Sequence, residues 1–188
     1  MFAYKSKAFE VGAFGVVTAN GNKVGLGNTL ETYISYSVGN FTFTVDDYFF
    51  FNEFDSLNNY FDWRSRTTQH FIEGRVKYSL NKWSFTGAYV LHKAKADDTD
   101  GIYLETEYVF SDNLSITAGG VTGASGLNFQ TAAGVTHVGI NGKRYINITK
   151  TFGIWAKASL IGSPNYKEIL RLPGVGRNPI YFVLSLTF

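Results

Sequence analysis

The sequence predicts an all-β fold: a transmembrane, antiparallel, up-and-down β-barrel of ten strands, with eight and twelve as the neighbouring counts. Three observations predict it. Segments of about ten residues alternate apolar and polar side chains one by one along nearly the whole chain, the pattern of a strand with two unlike faces. The connections between them alternate short and long. The aromatic residues of the apolar face gather near one rim.

Composition agrees with a single domain spanning 1–188. Aromatic content is 17%, with 20 glycines against only three prolines and one methionine, which favours sheet over helix. The lack of cysteine excludes a disulfide framework, a thiolate metal site and a Cys nucleophile. A net charge of +2 with interspersed signs and no basic stripe argues against a nucleic-acid partner. No metal or cofactor is expected. No run of 18 apolar residues is present, so a transmembrane helix is excluded, whereas barrel strands are half apolar and average out in a hydropathy window. The start "MFAYKSKAFEV" lacks an apolar signal core, so an exported form would be a mature chain with a start Met.

In chain order, the first strand is expected at 7–18, with Phe9, Val11 and Ala13 opposite Glu10. The second, 28–38, sets Leu30, Thr32, Ile34, Tyr36 and Val38 opposite Glu31, and turns at Gly39-Asn40 into the third, 41–51, with Phe41, Phe43 and Val45 opposite Asp46. The fourth, 67–80, carries Ile72, Val76, Tyr78 and Leu80 opposite Glu73, Arg75 and Lys77, and turns near Asn81 into the fifth, 82–94, with Trp83, Phe85, Tyr89 and Leu91. The sixth, 101–110, sets Ile102, Leu104, Tyr108 and Phe110 opposite Glu105 and Glu107; Ser111-Asp112-Asn113 leads to the seventh, 114–123, with Leu114, Ile116 and Ala118. The eighth, 134–149, has Val138, Ile140, Ile146 and Ile148 opposite Lys143, and turns at Lys150-Thr151 into the ninth, 152–162, with Ile154, Ala156, Ala158 and Leu160 opposite Lys157. The tenth, 179–188, alternates Ile180, Phe182, Leu184, Leu186 and Phe188 with Tyr181, Val183, Ser185 and Thr187.

The long connections fall at 19–27, 52–66, 95–100, 124–133 and 163–178, alternating with the tight turns. One rim of an up-and-down barrel carries turns and the other loops, and an even strand number leaves both ends on the turn side. Ten residues at about 3.3 Å each, tilted by about 40°, rise roughly 25 Å, the height of the apolar band of a membrane barrel.

Periodicity alone does not say which face is wet, because a lipocalin-like soluble barrel shows the same alternation. The position of the rings decides it. On the apolar face Tyr36, Phe41, Tyr78, Trp83, Tyr108, Phe110, Phe152 and Phe188 all lie near the tight-turn rim or the C-terminus, while mid-strand positions favour Val, Ile, Leu, Ala and Gly. A soluble core has no reason to sort aromatics by height; a bilayer does, because amphipathic rings are stabilised at the headgroup level. The apolar face is therefore expected to meet lipid.

The ending "YFVLSLTF", alternating hydrophobics closed by Phe188, resembles the terminal-strand signal of Gram-negative outer-membrane β-barrel proteins. The resemblance covers the whole chain as an architecture and the last residues, Tyr181, Phe182, Leu184, Leu186 and Phe188, as a motif. It implies an outer-membrane location, contact with membrane lipid and lipopolysaccharide, and recognition by the barrel-assembly machinery. The stretch "LETYISYSVGNFTFTVDDYFFF" is similar to a hairpin of nucleoside-specific outer-membrane channels. A fold follows from such resemblances; a function does not.

Inside a narrow barrel the polar residues are expected to pair, because an unpaired buried charge costs several kcal/mol. The expected lumen network is Glu10, Glu31, Asp46, Glu73, Arg75, Lys77, Glu105, Glu107, Lys143 and Lys157. A polar plug is the first reading of it and a narrow, porin-like path for a small solute the second; ten strands are too few for a wide pore. Counting from Phe41 turns Asp47 toward lipid unless a bulge near Asp46 shifts the register. Arg144 also falls on the lipid face, where its stem can snorkel. Asp46, Asp47, His70 and Glu73 could gather at the loop rim. Paired acids with a histidine suit general acid–base hydrolysis of a peptide or a lipid acyl group, against the plainer reading of a hydrogen-bonded rim cluster. His92 and His137 are expected to point inward and hydrogen-bond. Loop 52–66, with Tyr60, Phe61, Trp63 and Arg64, suits either ligand recognition by stacking or packing of the loop on the rim. Three functions stay open: an occluded barrel that binds or passes a small solute, a rim-site hydrolase, and a scaffold or adhesin that displays its loops to an envelope partner.

Overall fold

The computed structural model describes residues 2–16, 28–51, 59–64, 67–93, 101–125, 131–147, 153–165, 167 and 179–187. They form eleven strands: β1 (Phe2–Ser6), β2 (Phe9–Val16), β3 (Asn28–Val38), β4 (Phe41–Phe51), β5 (His70–Leu80), β6 (Trp83–His92), β7 (Tyr103–Ser111), β8 (Leu114–Val121), β9 (Gly134–Asn147), β10 (Gly153–Gly162) and β11 (Ile180–Thr187). All lie in one sheet in chain order, and every ladder is antiparallel. The up-and-down architecture is as expected. No ladder joins the edge strands β1 and β11 among the described residues.

The expected count of ten is one too low. Phe2–Ser6 pairs with Phe9–Ala13 through a two-residue turn at Lys7-Ala8, giving an odd strand number. The edge strands therefore run in the same direction, whereas an even number would have made them opposite. The turn carries no Gly, Asn, Asp or Pro to announce it; Lys7 itself adopts a φ of 51°, a conformation uncommon for a side-chain-bearing residue. The other tight turns do announce themselves, with Gly39 at φ 56° and Asn81 at φ 53° opening the two-residue connections between β3 and β4 and between β5 and β6. Residues 19–27, 95–100, Ile148 to Phe152 with the expected Lys150-Thr151 turn, most of 163–178, and Phe188 lie outside the described residues.

Strand pairing lines up the two faces row by row. One row runs Ile34, Val45, Gly74, Tyr89, and the next Tyr36, Phe43, Val76, Gly87, Leu104, all apolar or small. The intervening row runs Ser35, Thr44, Arg75, Ala88, Tyr103, and the row beyond Tyr36 runs Ser37, Thr42, Lys77, Thr86, Glu105, Gly119, His137. Burial is inverted relative to a soluble protein. Ile34, Leu104, Ile140 and Leu184 are 44%, 53%, 55% and 64% exposed, while Asp46 and Glu73 are 2% and 7% exposed. Among the described residues the buried apolar side chains are only Phe49, Ala88 and Val121. The sheet curves around its polar face, since side chains on that face meet across an intervening strand: His137 of β9 reaches Glu105 of β7 at 3.3 Å, over Gly119 of β8.

Of the rings expected at the tight-turn rim, Tyr36, Phe41, Tyr78, Trp83, Tyr108 and Phe110 lie there, and Phe152 and Phe188 lie outside the described residues. Phe41 meets Tyr78 with centroids 4.8 Å apart, Trp83 meets Tyr108 at 4.7 Å, and Tyr108 meets Phe110 at 4.9 Å, all at the tight-turn rim. A second aromatic group, Phe49, Tyr60 and Trp63, lies at the opposite rim, around His70.

Candidate functional site

The strands place the charged residues by parity. Side chains of β4 and β5 alternate faces, so Asp46, Tyr48, Glu73, Arg75 and Lys77 project to the concave side. Arg75 is the hub. Its Nη2 donates to Asp46 Oδ2 at 2.6 Å and to the Tyr48 hydroxyl at 3.1 Å, and its Nε stands 3.6 Å from Glu73 Oε1. Next to it, Lys77 Nζ lies 3.7 Å from Glu107 Oε2. Tyr103 donates to Glu105 Oε2 at 2.6 Å, and His137 Nε2 approaches the same oxygen at 3.3 Å. On the first strands Tyr33 donates to Glu10 Oε1 at 2.8 Å while Lys5 pairs with Glu10 Oε2 at 3.4 Å.

Two glycines make room for this network. A Cβ on Gly12 would stand 2.5 Å from the Tyr33 ring, and one on Gly119 would stand 2.4 Å from His137 Cε1. Both rings lie flat across the strand that carries the glycine. Tyr33, Tyr48, Tyr103 and Lys5 join the network without having been singled out from the sequence, although counting by twos already puts the tyrosines on the polar face. His137 is inward and paired, as expected; the Nε2 of His92 is buried without a hydrogen-bond partner among the described residues.

The polar side carries an open cavity of about 370 Å³ lined by Tyr48, Glu73, Arg75, Lys77, Thr86, Ala88, Tyr103 and Glu105. Toward the tight-turn rim a second, of about 310 Å³, is bordered by Glu107, Asp112, Lys143 and Lys157 among others. Lys143 and Lys157 face each other directly across the ladder between β9 and β10, a like-charge juxtaposition. The expected lumen residues thus fall on one face of the sheet, the acids mostly on β2 to β7 and this lysine pair on β9 and β10.

The four candidate rim residues do not come together. The ladders around Asp46 and Asp47 run without a register shift, so no bulge forms there, and the two acids point to opposite faces. Asp46 and Glu73 belong to the Arg75 cluster. Asp47 and His70 lie on the outward face, with His70 Nδ1 2.7 Å from Asp47 Oδ1 and Nε2 2.7 Å from the Tyr60 carbonyl. The Trp63 ring stacks on the imidazole at 3.9 Å, and His70 is completely buried. Both ring nitrogens are occupied, and no path leads from the imidazole to Glu73 through the sheet.

Segment 59–64 therefore acts as a clasp on the outside of β4 and β5. Asp62 organises it, accepting from Arg64 Nε at 2.9 Å, Arg64 Nη2 at 3.0 Å and Thr67 Oγ1 at 2.5 Å. These bonds, Arg64 first, hold the Asp62 carboxyl well below the usual carboxylate range and raise the Arg64 guanidinium. Of the expected recognition residues, Tyr60 and Trp63 are committed to the clasp, and Arg64 to Asp62. Phe61 stands 83% exposed. A short register shift does occur elsewhere, between Ile72 and Glu73 opposite Leu91. No cluster of metal-ligating side chains is formed among the described residues. No protein-family model, curated protein or solved structure matches the chain.

Proposed function

We propose that the protein is an integral outer-membrane β-barrel with a polar, largely occluded lumen that binds or passes a small solute. The observation that carries this is the inverted burial: rows of Ile, Val, Leu and Phe exposed on the convex face, and a paired Asp46–Arg75–Glu73 cluster sheltered on the concave one. Water makes that arrangement unfavourable, at about 25 cal/mol for each Å² of apolar surface left wet. A bilayer makes it favourable. The ring positions support it, because Phe41 and Phe49 mark the two rims of β4 at about 27 Å along the strand, given about 3.4 Å per residue. Tilted by about 40°, that span approaches the apolar height of such barrels, about 25 Å. The alternating strand at the C-terminal end suits recognition by the assembly machinery, and the convex face suits lipid and lipopolysaccharide.

The hydrolase reading gains no support from the geometry, since His70 is sealed beneath Trp63 and separated from Asp46 and Glu73. The test is the solvent requirement of the fold. The purified chain should keep its β-sheet circular dichroism and protease resistance in detergent micelles or vesicles and aggregate when amphiphile is removed. A chain that stays folded and monodisperse in plain buffer sinks the proposal. Planar-bilayer recording then separates a conducting lumen from a closed one.

A further inference from the structure

The cavity beside Arg75 carries a mixture of unsatisfied groups that is informative about what it accepts. Arg75 spends Nη2 on Asp46 and Tyr48, while its Nε, 3.6 Å from Glu73 Oε1, has no hydrogen-bond partner among the described residues. Lys77 meets Glu107 only at 3.7 Å, too far for a hydrogen bond. These two cations are alternate residues of β5, both facing the cavity and about 7 Å apart along the strand. They offer adjacent N–H donors suited to the two oxygens of one carboxylate.

The surroundings are nevertheless acidic. Glu73 lines the cavity with Glu105, and Asp46 stands directly behind Arg75. A simple anion would meet the donors but be repelled by three carboxylates; a simple cation would leave the donors on Arg75 and Lys77 unused. A molecule with both charges satisfies each. The volume, about 370 Å³, is at the small end of ligand pockets.

We infer that this cavity is a binding site for a small zwitterion, a solute with one carboxylate taken by Arg75 and Lys77 and one ammonium group turned toward Glu73. The inference rests on the proposed solute-binding barrel and names the class of solute. Titration calorimetry of the full chain, refolded in detergent micelles, tests it with alanine and glutamine as zwitterions and with propionate and propylammonium as their separated halves. Saturable binding of a zwitterion is expected, with each half weaker by about tenfold or more, the loss expected for a charge-assisted bond. Lys77→Gln lies on the more exposed cation and should weaken the zwitterion by about tenfold while leaving propylammonium unchanged. Arg75→Gln should do more, with circular dichroism checking that it folds. Absence of zwitterion binding to the folded chain, equal binding of either half, or indifference to Lys77→Gln overturns the inference. A chain that folds without amphiphile overturns the barrel instead, and the same titration in buffer still decides the site.

Discussion

His70 Nδ1 lies 2.7 Å from Asp47 Oδ1 on the convex face of the sheet, beside the apolar row of Ile34, Val45 and Gly74. An ionisable pair in that position is unfavourable against lipid unless covered. The clasp covers it: Tyr60 supplies a carbonyl to Nε2 and Trp63 lies flat on the ring. Asp47→Ala should therefore leave a buried imidazole nitrogen unpaired and cost about 1–3 kcal/mol. His70→Ala should cost more, about 2–4 kcal/mol, since it also removes packing for Trp63 and Phe49. Urea midpoints of the chain in micelles measure both, and values within error of the parent would mean that the clasp contributes nothing.

Removing the hub should cost a comparable amount. Arg75→Met leaves Asp46 and Glu73 enclosed without their cation, and breaking a buried pair from one side costs about 3–5 kcal/mol. Because the Arg75 side chain is about a third exposed, solvent screening reduces this to about 2–3 kcal/mol. The triple change Arg75→Met, Asp46→Asn, Glu73→Gln should recover most of the loss. Failure of the triple variant to outperform the single one in chemical denaturation would deny the cluster its electrostatic role.

Much of this was legible in the sequence, and the reasons are specific. Alternation in β3 to β8 is strict and the turns at Gly39-Asn40, Asn81-Lys82 and Asp112-Asn113 use residues that turns demand, so strands, order and faces follow. β1 was not legible because Lys7 and Ala8 carry no turn chemistry. The split of Asp46 from Asp47 was half legible. Parity places them on opposite faces, but a charge on the apolar side invites a bulge as the remedy, and only tertiary structure shows that a loop segment returns to cap it. The role of Gly119 is likewise tertiary, since it depends on what lies on β9.

That glycine gives a sharp test. A methyl group at position 119 would stand 2.4 Å from His137 Cε1 and 2.9 Å from the Tyr103 hydroxyl. Gly119→Ala should displace His137 from Glu105 and cost about 1–3 kcal/mol, as overpacking does. In a His137→Ala background the same substitution should cost clearly less, with only the Tyr103 hydroxyl left to give way. A double-mutant cycle on denaturation midpoints reads the coupling, and additive losses would show that the imidazole is not what the methyl meets.

The clasp should also respond to acid in a defined sense. Asp62 is held below its unfolded value of about 3.9 by Arg64 and Thr67, so its contribution is complete above about pH 4 and is lost as pH falls through the lower folded value. Followed by Trp63 fluorescence in a Trp83→Phe, Trp155→Phe background, the undocking midpoint should lie below the usual carboxylate range. Asp62→Asn should remove that transition. A midpoint near the unshifted carboxylate value would show that Asp62 is not clamped as the geometry indicates.

The orientation of the sheet is tested most directly at the middle of β5. Val76 lies between Phe43 and Gly87 on the convex face, and is 41% exposed. In water, lysine at such a position would be close to neutral, as exposed substitutions usually fall within about 0.5 kcal/mol. Against hydrocarbon it should cost about 2–4 kcal/mol near the midplane. Ser35→Lys provides the comparison, because Ser35 pairs with Glu10 on the concave face and a cation there gains an acidic neighbour. Refolding into phosphatidylcholine vesicles, followed by denaturant titration, should rank Val76→Lys far below Ser35→Lys. Equal stability of the two variants would place the convex face in water and remove the physical basis for a membrane barrel.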